Sequence, residues 1–275
     1  MPEPGNAALE HFGIKILILE VISNIMQSFQ GFFSRHAKEY ASSESHMHGK
    51  DLDLLISMLD LKKSYKALDI GTGPGFVAFE MSSKVAISIG LDMNEHMLDI
   101  AVRKAEDDGA SNVAFVKGDA LSMPFPDNVF DVVTCRRVAH HIKDKKKFIE
   151  EAWRVLKKGG KFGITDLLKP MEDKRDIFNK FEKARDKTYI SSESLDSWFK
   201  MLKENAFEID NFKTFEMKET FQSWLSPVSE NSPEGRKAKK ILNDNVDYFK
   251  DVFGYDAEAG YFNKSRMVIV AKKPE

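Results

Sequence analysis

The sequence predicts an α/β fold in which a doubly wound, mostly parallel sheet carries helices on both faces. Three observations predict it. Short apolar runs alternate with helical patterns from Leu52 to Asp166. The runs are apolar nearly throughout, as strands buried on both faces are. They end in glycine, charged or polar residues, at Gly71, Asp92, Gly118-Asp119, Cys135-Arg136-Arg137 and Asp166, which puts the chemistry at one edge of a sheet.

Taken in order, residues 1–10 read as loose, with Pro2, Pro4 and Gly5 close together. His11 to Tyr40 reads as a helix whose apolar residues, Ile16 to Ile22 and Ile25, cover most of its circumference, with Phe29, Phe32 and Phe33 continuing it. A helix so apolar needs covering, by its own domain or by a partner subunit; packing or a homodimer through this helix is favoured over a lid. Tyr40 to Lys50 is polar and reads as a loop. Leu52, Leu55, Ile56 and Leu59 then mark a helix at i, i+3, i+4, i+7 spacing.

The strand Lys66–Ile70 leads into the turn Gly71-Thr72-Gly73-Pro74-Gly75, where glycines let the backbone turn sharply and a ligand approach closely. A helix from Phe76 to Lys84 offers free N–H groups at its start. Val85–Leu91 is the second strand, and Asn94 can cap a helix reaching Ala105. Val113–Lys117 is the third strand and Phe130–Cys135 the fourth. A helix from Lys145 to Leu156 stops at Lys158-Gly159-Gly160. Phe162–Thr165 is the fifth strand. After Pro170 the alternation breaks. Ile177, Phe178, Phe181 and Ala184 mark one amphipathic helix, and Leu195, Trp198, Phe199 and Leu202 another. Phe207–Met217 reads as extended, Phe221–Leu225 and Pro233–Phe253 as helical, and Arg266–Lys272 as a last strand. The expected division is a helical N-terminal segment (1–48), a cofactor-binding core (49–169), cap elements on the substrate side (170–260) and a final strand rejoining the sheet (261–275).

Composition narrows the function classes. The 275 residues are 42% hydrophobic and 31% charged, with 41 basic and 43 acidic residues and a net charge of −2. That balance argues against a dedicated nucleic-acid binder. The lone Cys135 excludes an internal disulfide and fits a reducing compartment. The most apolar run, Ile14–Met26, is too short to span a bilayer and is interrupted by Lys15 and Glu20, so a cytoplasmic location is expected.

Asp92 lies 21 residues after Gly71, the distance at which an acid at the end of the second strand meets ribose hydroxyls. Asp119 is placed either to accept a bond from an exocyclic adenine amine or simply to close a turn. Phe76 occupies the place where a dinucleotide fingerprint has its third glycine, and no Tyr-x-x-x-Lys follows. A nucleoside cofactor of another kind, S-adenosylmethionine, is favoured. His140 and His141 follow the fourth strand, and Asp166 ends the fifth. A histidine here, His141 by preference, can act as base with Asp166 supporting its protonated form. His46 and His48 lack the acid and spacing of a metal site, so none is expected. Cys135 reads as a small buried residue.

The chain resembles the class I S-adenosylmethionine-dependent methyltransferases, in the small-molecule group that includes the ubiquinone/menaquinone methyltransferases and uncharacterised bacterial relatives. The resemblance is carried by Leu68-Asp69-Ile70-Gly71-Thr72-Gly73-Pro74-Gly75, Gly118-Asp119-Ala120 with Met123-Pro124-Phe125, Phe130-Asp131-Val132-Val133 and Arg154-Val155-Leu156-Lys157-Lys158-Gly159-Gly160. Cys135 to His141 departs from the quinone enzymes and is nearer the uncharacterised relatives. The resemblance implies a Rossmann-like sheet of seven strands and S-adenosyl-L-methionine as cofactor. Gly71 and Gly73 would approach its methionine part, Asp92 would hold the ribose, and Met93 would pack on the adenine. Asp119 and Ala120 would meet the adenine amine, Arg136 would lie near the methionine end, and Tyr40 would stand near the cofactor. Some sugar O-methyltransferases of this fold use a comparable histidine and aspartate. The expected activity is methyl transfer to a small-molecule acceptor, O or S favoured, C or N also open. The alternatives are a nucleic-acid or protein methyltransferase, although the Asn/Asp-Pro-Pro-Tyr/Phe element is absent after the fourth strand, and a non-catalytic cofactor-binding protein.

Overall fold

The computed structural model describes residues 49–275. The expected N-terminal helix, Tyr40, His46 and His48 lie outside the described residues. The rest forms one seven-stranded sheet in the order β3-β2-β1-β4-β5-β7-β6. Strands β1 (Lys66–Ile70), β2 (Ile87–Asp92), β3 (Val113–Lys117), β4 (Phe130–Arg136) and β5 (Leu156–Leu168) are parallel. β7 (Tyr261–Lys272) runs antiparallel between β5 and the edge strand β6 (Glu208–Thr220). The winding direction reverses between β1 and β4, and in open α/β sheets the crevice at such a reversal takes the ligand.

The apolar strands are buried on both faces, as their composition requires. Leu68, Ile70, Val133, Cys135, Phe162 and Ile164 join one core with α4 (Lys145–Val155) and α6 (Leu195–Glu204), through Phe148, Ile149, Trp198 and Leu202. Ala67, Val132, Val268 and Val270 face the other way, against α1 (Lys50–Met58) and α2 (Phe76–Ser82). Helix α3 (Glu95–Asp107) is capped by Asn94, whose side chain accepts from Met97 N–H.

Three boundaries differ from the sequence expectation. Strand β5 begins at Leu156 and runs on to Leu168, because β7 supplies hydrogen-bonding partners past the end of β4, pairing Asp166 with Met267 and Leu168 with Ser265. The stretch 208–220 lies in the sheet as β6, inside the segment expected to cover it. The long helix expected over 233–253 is two, α8 (Pro233–Asp244) and α9 (Val246–Phe253), broken at Asn245, whose side chain turns back to donate to the Ile241 carbonyl. These helices, with α5 (Ile177–Arg185) and α7 (Phe221–Leu225), enclose a second apolar core on Leu167 and Phe262. Phe181 stacks on Trp224 at 3.8 Å between ring centroids. Phe178, Phe181, Tyr189, Trp198 and Trp224 are all core residues. Among the described residues no helix is long and apolar enough to cross a membrane.

Candidate functional site

The sheet register gathers the sequence-predicted residues along one edge. Ile70 stands beside Leu91 on one side and Cys135 on the other, Asp92 beside Lys117, and Arg136 beside Thr165. The residues just beyond these positions therefore form a row. The glycine turn is pinned to it: Gly71 and Thr72 both donate to the Leu91 carbonyl, at 2.7 and 3.0 Å. Gly71 and Gly75 adopt left-handed φ of 68° and 91°. At Gly71 a Cβ would lie 2.5 Å from the Val138 side chain, so the turn and the segment after β4 are in direct contact.

Asp92 ties β2 to this turn. One carboxylate oxygen accepts from Gly73 N–H and the other from Asn94 N–H, each at 2.8 Å. Burial raises the Asp92 carboxyl above its ordinary range, against these backbone donors. Asp119 accepts from Leu121 N–H at 2.8 Å through one oxygen, which closes its turn, and the other oxygen makes no hydrogen bond to a described residue. The turn role and an open acceptor thus coexist. Met93, Asp119 and Ala120 are all half-buried at the same edge.

Asp69 was not among the expected site residues. It is fully buried at the end of β1 and accepts from Thr134 Oγ1 at 2.8 Å. Burial pushes its carboxyl up to about 7, against the hydrogen bond from Thr134. An acid inside an apolar strand is a signal the sequence does carry, because such residues are seldom fully buried without a reason.

Arg136, expected near the cofactor's methionine end, pairs with an acid on α1. Its Nε and Nη2 donate to the two oxygens of Asp51 at 2.9 and 3.0 Å. Arg137, in a left-handed conformation with φ 59°, grips the same carboxylate at 2.8 and 2.7 Å. Burial alone would raise the Asp51 carboxyl; Arg137 first, then Arg136 and Arg266, hold it well below the ordinary range. Asp51 sits 85 residues from Arg136, so no local pattern could announce the pair. Asp51→Ala strands two buried guanidiniums, and denaturant unfolding should show a loss of about 3–5 kcal/mol. A loss below about 1 kcal/mol would mean that water replaces the carboxylate.

After β4 comes a single 3-10 turn over Ala139–His141. Successive side chains in such a turn point about 120° apart. Only one histidine can therefore face β5, and it is His140. Its Nδ1 lies 2.5 Å from Asp166 Oδ1, and its backbone N–H donates to Oδ2 at 3.0 Å. Burial would raise the Asp166 carboxyl, but the His140 imidazole and the Leu167 N–H hold it below its ordinary range. His140 Nε2 makes no hydrogen bond to any described residue. The expectation that Asp166 supports His141 is corrected here. His141 Nδ1 meets Thr188 Oγ1 at 3.1 Å, and that hydroxyl donates to Asp186 at 2.6 Å. His141 thus belongs to the wall formed by the segment after α5.

Burial, with the second imidazole 4.0 Å away, pulls His141 down to about 3. The folded protein therefore takes up the proton far less readily than the unfolded chain, whose histidine titrates near 6.5. Stability from this group is present above about pH 6.5 and lost as pH falls towards 3. Asp69 works in the opposite direction over part of that range, so wild type alone does not isolate the effect. The melting temperature of His141→Asn should fall less between pH 7.5 and 5.0 than that of wild type. An equal fall in both would refute the assignment.

The edge fits a nucleoside ligand. A Cβ built on Gly73 would meet nothing within 4 Å, so open space adjoins the turn. Asp92 and the open oxygen of Asp119 offer acceptors along it. A family model described as a methyltransferase domain matches residues 61–245. The chain belongs to the S-adenosylmethionine-dependent methyltransferases. It is similar to the uncharacterized methyltransferase YcgJ of Bacillus subtilis, 37% identical over 174 residues, which cover 63% of this chain and 69% of YcgJ. The crystal structure of YcgJ superposes with a TM-score of 0.78 at 30% identity, covering 83% of this chain and all of that one. A putative methyltransferase from Bacillus halodurans gives 0.76 at 32% identity, covering 82% of this chain and all of that one. The ubiquinone/menaquinone biosynthesis C-methyltransferase UbiE of Vibrio vulnificus is 28% identical over 179 residues, covering 62% of this chain and 69% of UbiE. The order β3-β2-β1-β4-β5-β7-β6 is thus that of a Rossmann-like methyltransferase sheet. The methyltransferase uses S-adenosylmethionine as its cofactor. Among the described residues no cluster of His, Cys, Asp and Glu has the arrangement of a metal site.

Proposed function

We propose that this methyltransferase acts on a small-molecule acceptor through an oxygen or sulfur nucleophile, with His140 as the group that takes the acceptor's proton. One observation carries the reading. His140 is held by Asp166 through Nδ1 while its Nε2 is uncommitted, on a turn whose Val138 packs against Gly71. That is the arrangement of a general base oriented by a carboxylate, and Asp166 stabilises the imidazolium that proton uptake would create.

S-adenosylmethionine supplies a methyl group already activated on a sulfonium, with a neutral thioether as leaving group. The residues that would hold it are Gly71 and Gly73 at the methionine part, Asp92 at the ribose, and Met93, Asp119 and Ala120 around the adenine. The protein's contribution is alignment, which for a well-held pair is worth up to about 7–11 kcal/mol, and removal of the proton from O–H or S–H, worth about 10²–10⁴-fold. Helices α5 and α7–α9 form the acceptor side.

The relative UbiE is a C-methyltransferase, which supports a second reading in which the acceptor atom is carbon. His140 would then take a proton from the methylated carbon. Release of S-adenosylhomocysteine across matched phenols, alcohols, thiols, amines and enolisable carbon acids decides between them. Turnover is expected with a hydroxyl or thiol acceptor, on a pH profile that rises with deprotonation of one group. Turnover with carbon acids alone selects the second reading, and turnover with amines alone overturns both.

A further inference from the structure

Strand β7 runs antiparallel, so its first half lies at the carboxyl edge of the parallel strands, beside the site. Arg266 stands there, opposite Leu167 on β5 and Phe215 on β6, one position beyond the pairing of Asp166 with Met267. Its Nε and Nη1 are buried and have no hydrogen-bond partner among the described residues. Burial pulls the guanidinium down to about 10, and Arg137 beside it pulls the same way, against Asp51, Asp166 and Glu219. Two of those carboxylates are already held by close partners, and Glu219 makes only a longer contact, to a lysine that is nearer Glu182. Asp51 is shared by Arg136 and Arg137. Asp166 is held by His140 and two backbone N–H groups. Glu219 lies 3.5 Å from Lys264. Arg137, for its part, uses Nε and Nη2 on Asp51, and its Nη1 makes no hydrogen bond to a described residue. Arg136 and Arg137 thus share the Asp51 carboxylate, while Arg266 keeps two buried donors without a hydrogen bond among the described residues.

We propose that Arg266, with Nη1 of Arg137, binds an anionic oxyacid group of the acceptor, a carboxylate or a phosphate. The proposal rests on the reading that a small acceptor occupies the edge beside His140, and adds that this acceptor is an anion. An oxyanion can meet a guanidinium in a bidentate manner through Nη2 with either Nε or Nη1, so it would give a partner to one of the two buried donors of Arg266. A neutral acceptor could meet such a donor through an oxygen but would leave the buried positive charge uncompensated, so the site favours an anion.

The test uses the full chain saturated with S-adenosylhomocysteine, titrated separately with inorganic phosphate and with acetate at constant ionic strength set by chloride. Melting temperature and calorimetry report binding, and the two arms tell phosphate from carboxylate. At least one anion is expected to give a saturable rise in melting temperature. Its affinity should fall tenfold or more in Arg266→Gln, while S-adenosylhomocysteine binds within twofold of wild type. Arg266→Lys keeps the charge, loses the fork, and should weaken the same anion if the glutamine variant does not fold. Absence of saturable binding by either anion to wild type overturns the proposal whatever the variants do. Unchanged anion affinity in Arg266→Gln also overturns it, as does a loss of S-adenosylhomocysteine affinity without loss of the anion, which would assign Arg266 to the cofactor's own carboxylate. Anion binding does not depend on turnover. A failed acceptor panel with intact anion binding therefore counts against the proposed reaction, and intact hydroxyl or thiol methylation without anion binding counts against this proposal alone.

Discussion

His140→Ala is expected to lower methyl transfer about 10²–10⁴-fold, the range that a positioned general base contributes, while S-adenosylmethionine binds within twofold of wild type. The reason is geometric. Asp166 fixes the ring through Nδ1 and leaves Nε2 as the basic atom. Asp166→Asn should fall in the same range for a different reason, because an amide cannot stabilise the imidazolium and can favour the wrong tautomer. If the two residues act as a unit, the double variant will be little worse than either single one. His141→Ala is the control. Its ring faces Thr188 and Asp186, so it should reduce stability more than turnover at a temperature where the protein stays folded. Equal turnover losses at His140 and His141 would undo the distinction drawn from the 3-10 turn. The readouts are S-adenosylhomocysteine release for turnover and calorimetry for cofactor affinity.

Gly71→Ala should damage both fold and cofactor cradle. The added Cβ would lie 2.5 Å from Val138, and φ at this position is 68°. Overpacking of this kind and a left-handed conformation together cost about 2–5 kcal/mol, read by denaturant unfolding. Cofactor affinity should fall with it, since the Gly71 and Thr72 N–H groups are what pin the turn to the end of β2. Val138→Ala opens space opposite the new methyl group. The double variant should recover the steric part of the loss and leave the conformational part, about 1–2 kcal/mol. Failure of Val138→Ala to recover any stability would mean that backbone conformation alone sets the requirement for glycine.

Much of the architecture was legible because its causes are local. Nearly continuous apolar strands, an Asn94 cap and a glycine turn are short-range patterns, and each maps onto the element found. The site was legible in part for the same reason: a parallel sheet brings the residues after its strands to one edge, whatever the loops do. Asp92, Asp119, His140 and Asp166 could therefore be named from position alone. What was not legible depended on direction rather than position. Two adjacent histidines are equivalent in sequence, and only the 120° step of a 3-10 turn decides which one Asp166 reaches. Arg136 could be placed after β4, but its pairing with Asp51 on α1 could not be read from the sequence. The extra length of β5 likewise came from β7, a strand more than 90 residues later.

By itself, then, the sequence determined the α/β class and the glycine turn, because both are written in short stretches, and it favoured S-adenosylmethionine as the methyl donor through the family resemblance those stretches carry. Tertiary structure alone decided that His140 is the histidine held by Asp166, that Asp51 gathers two arginines, and that Arg266 keeps buried donors without a partner among the described residues. Each of those depends on side chains from distant strands and helices meeting at one sheet edge. Burial there makes every unmatched charge or hydrogen bond count, and the spacing of residues along the chain carries no record of it.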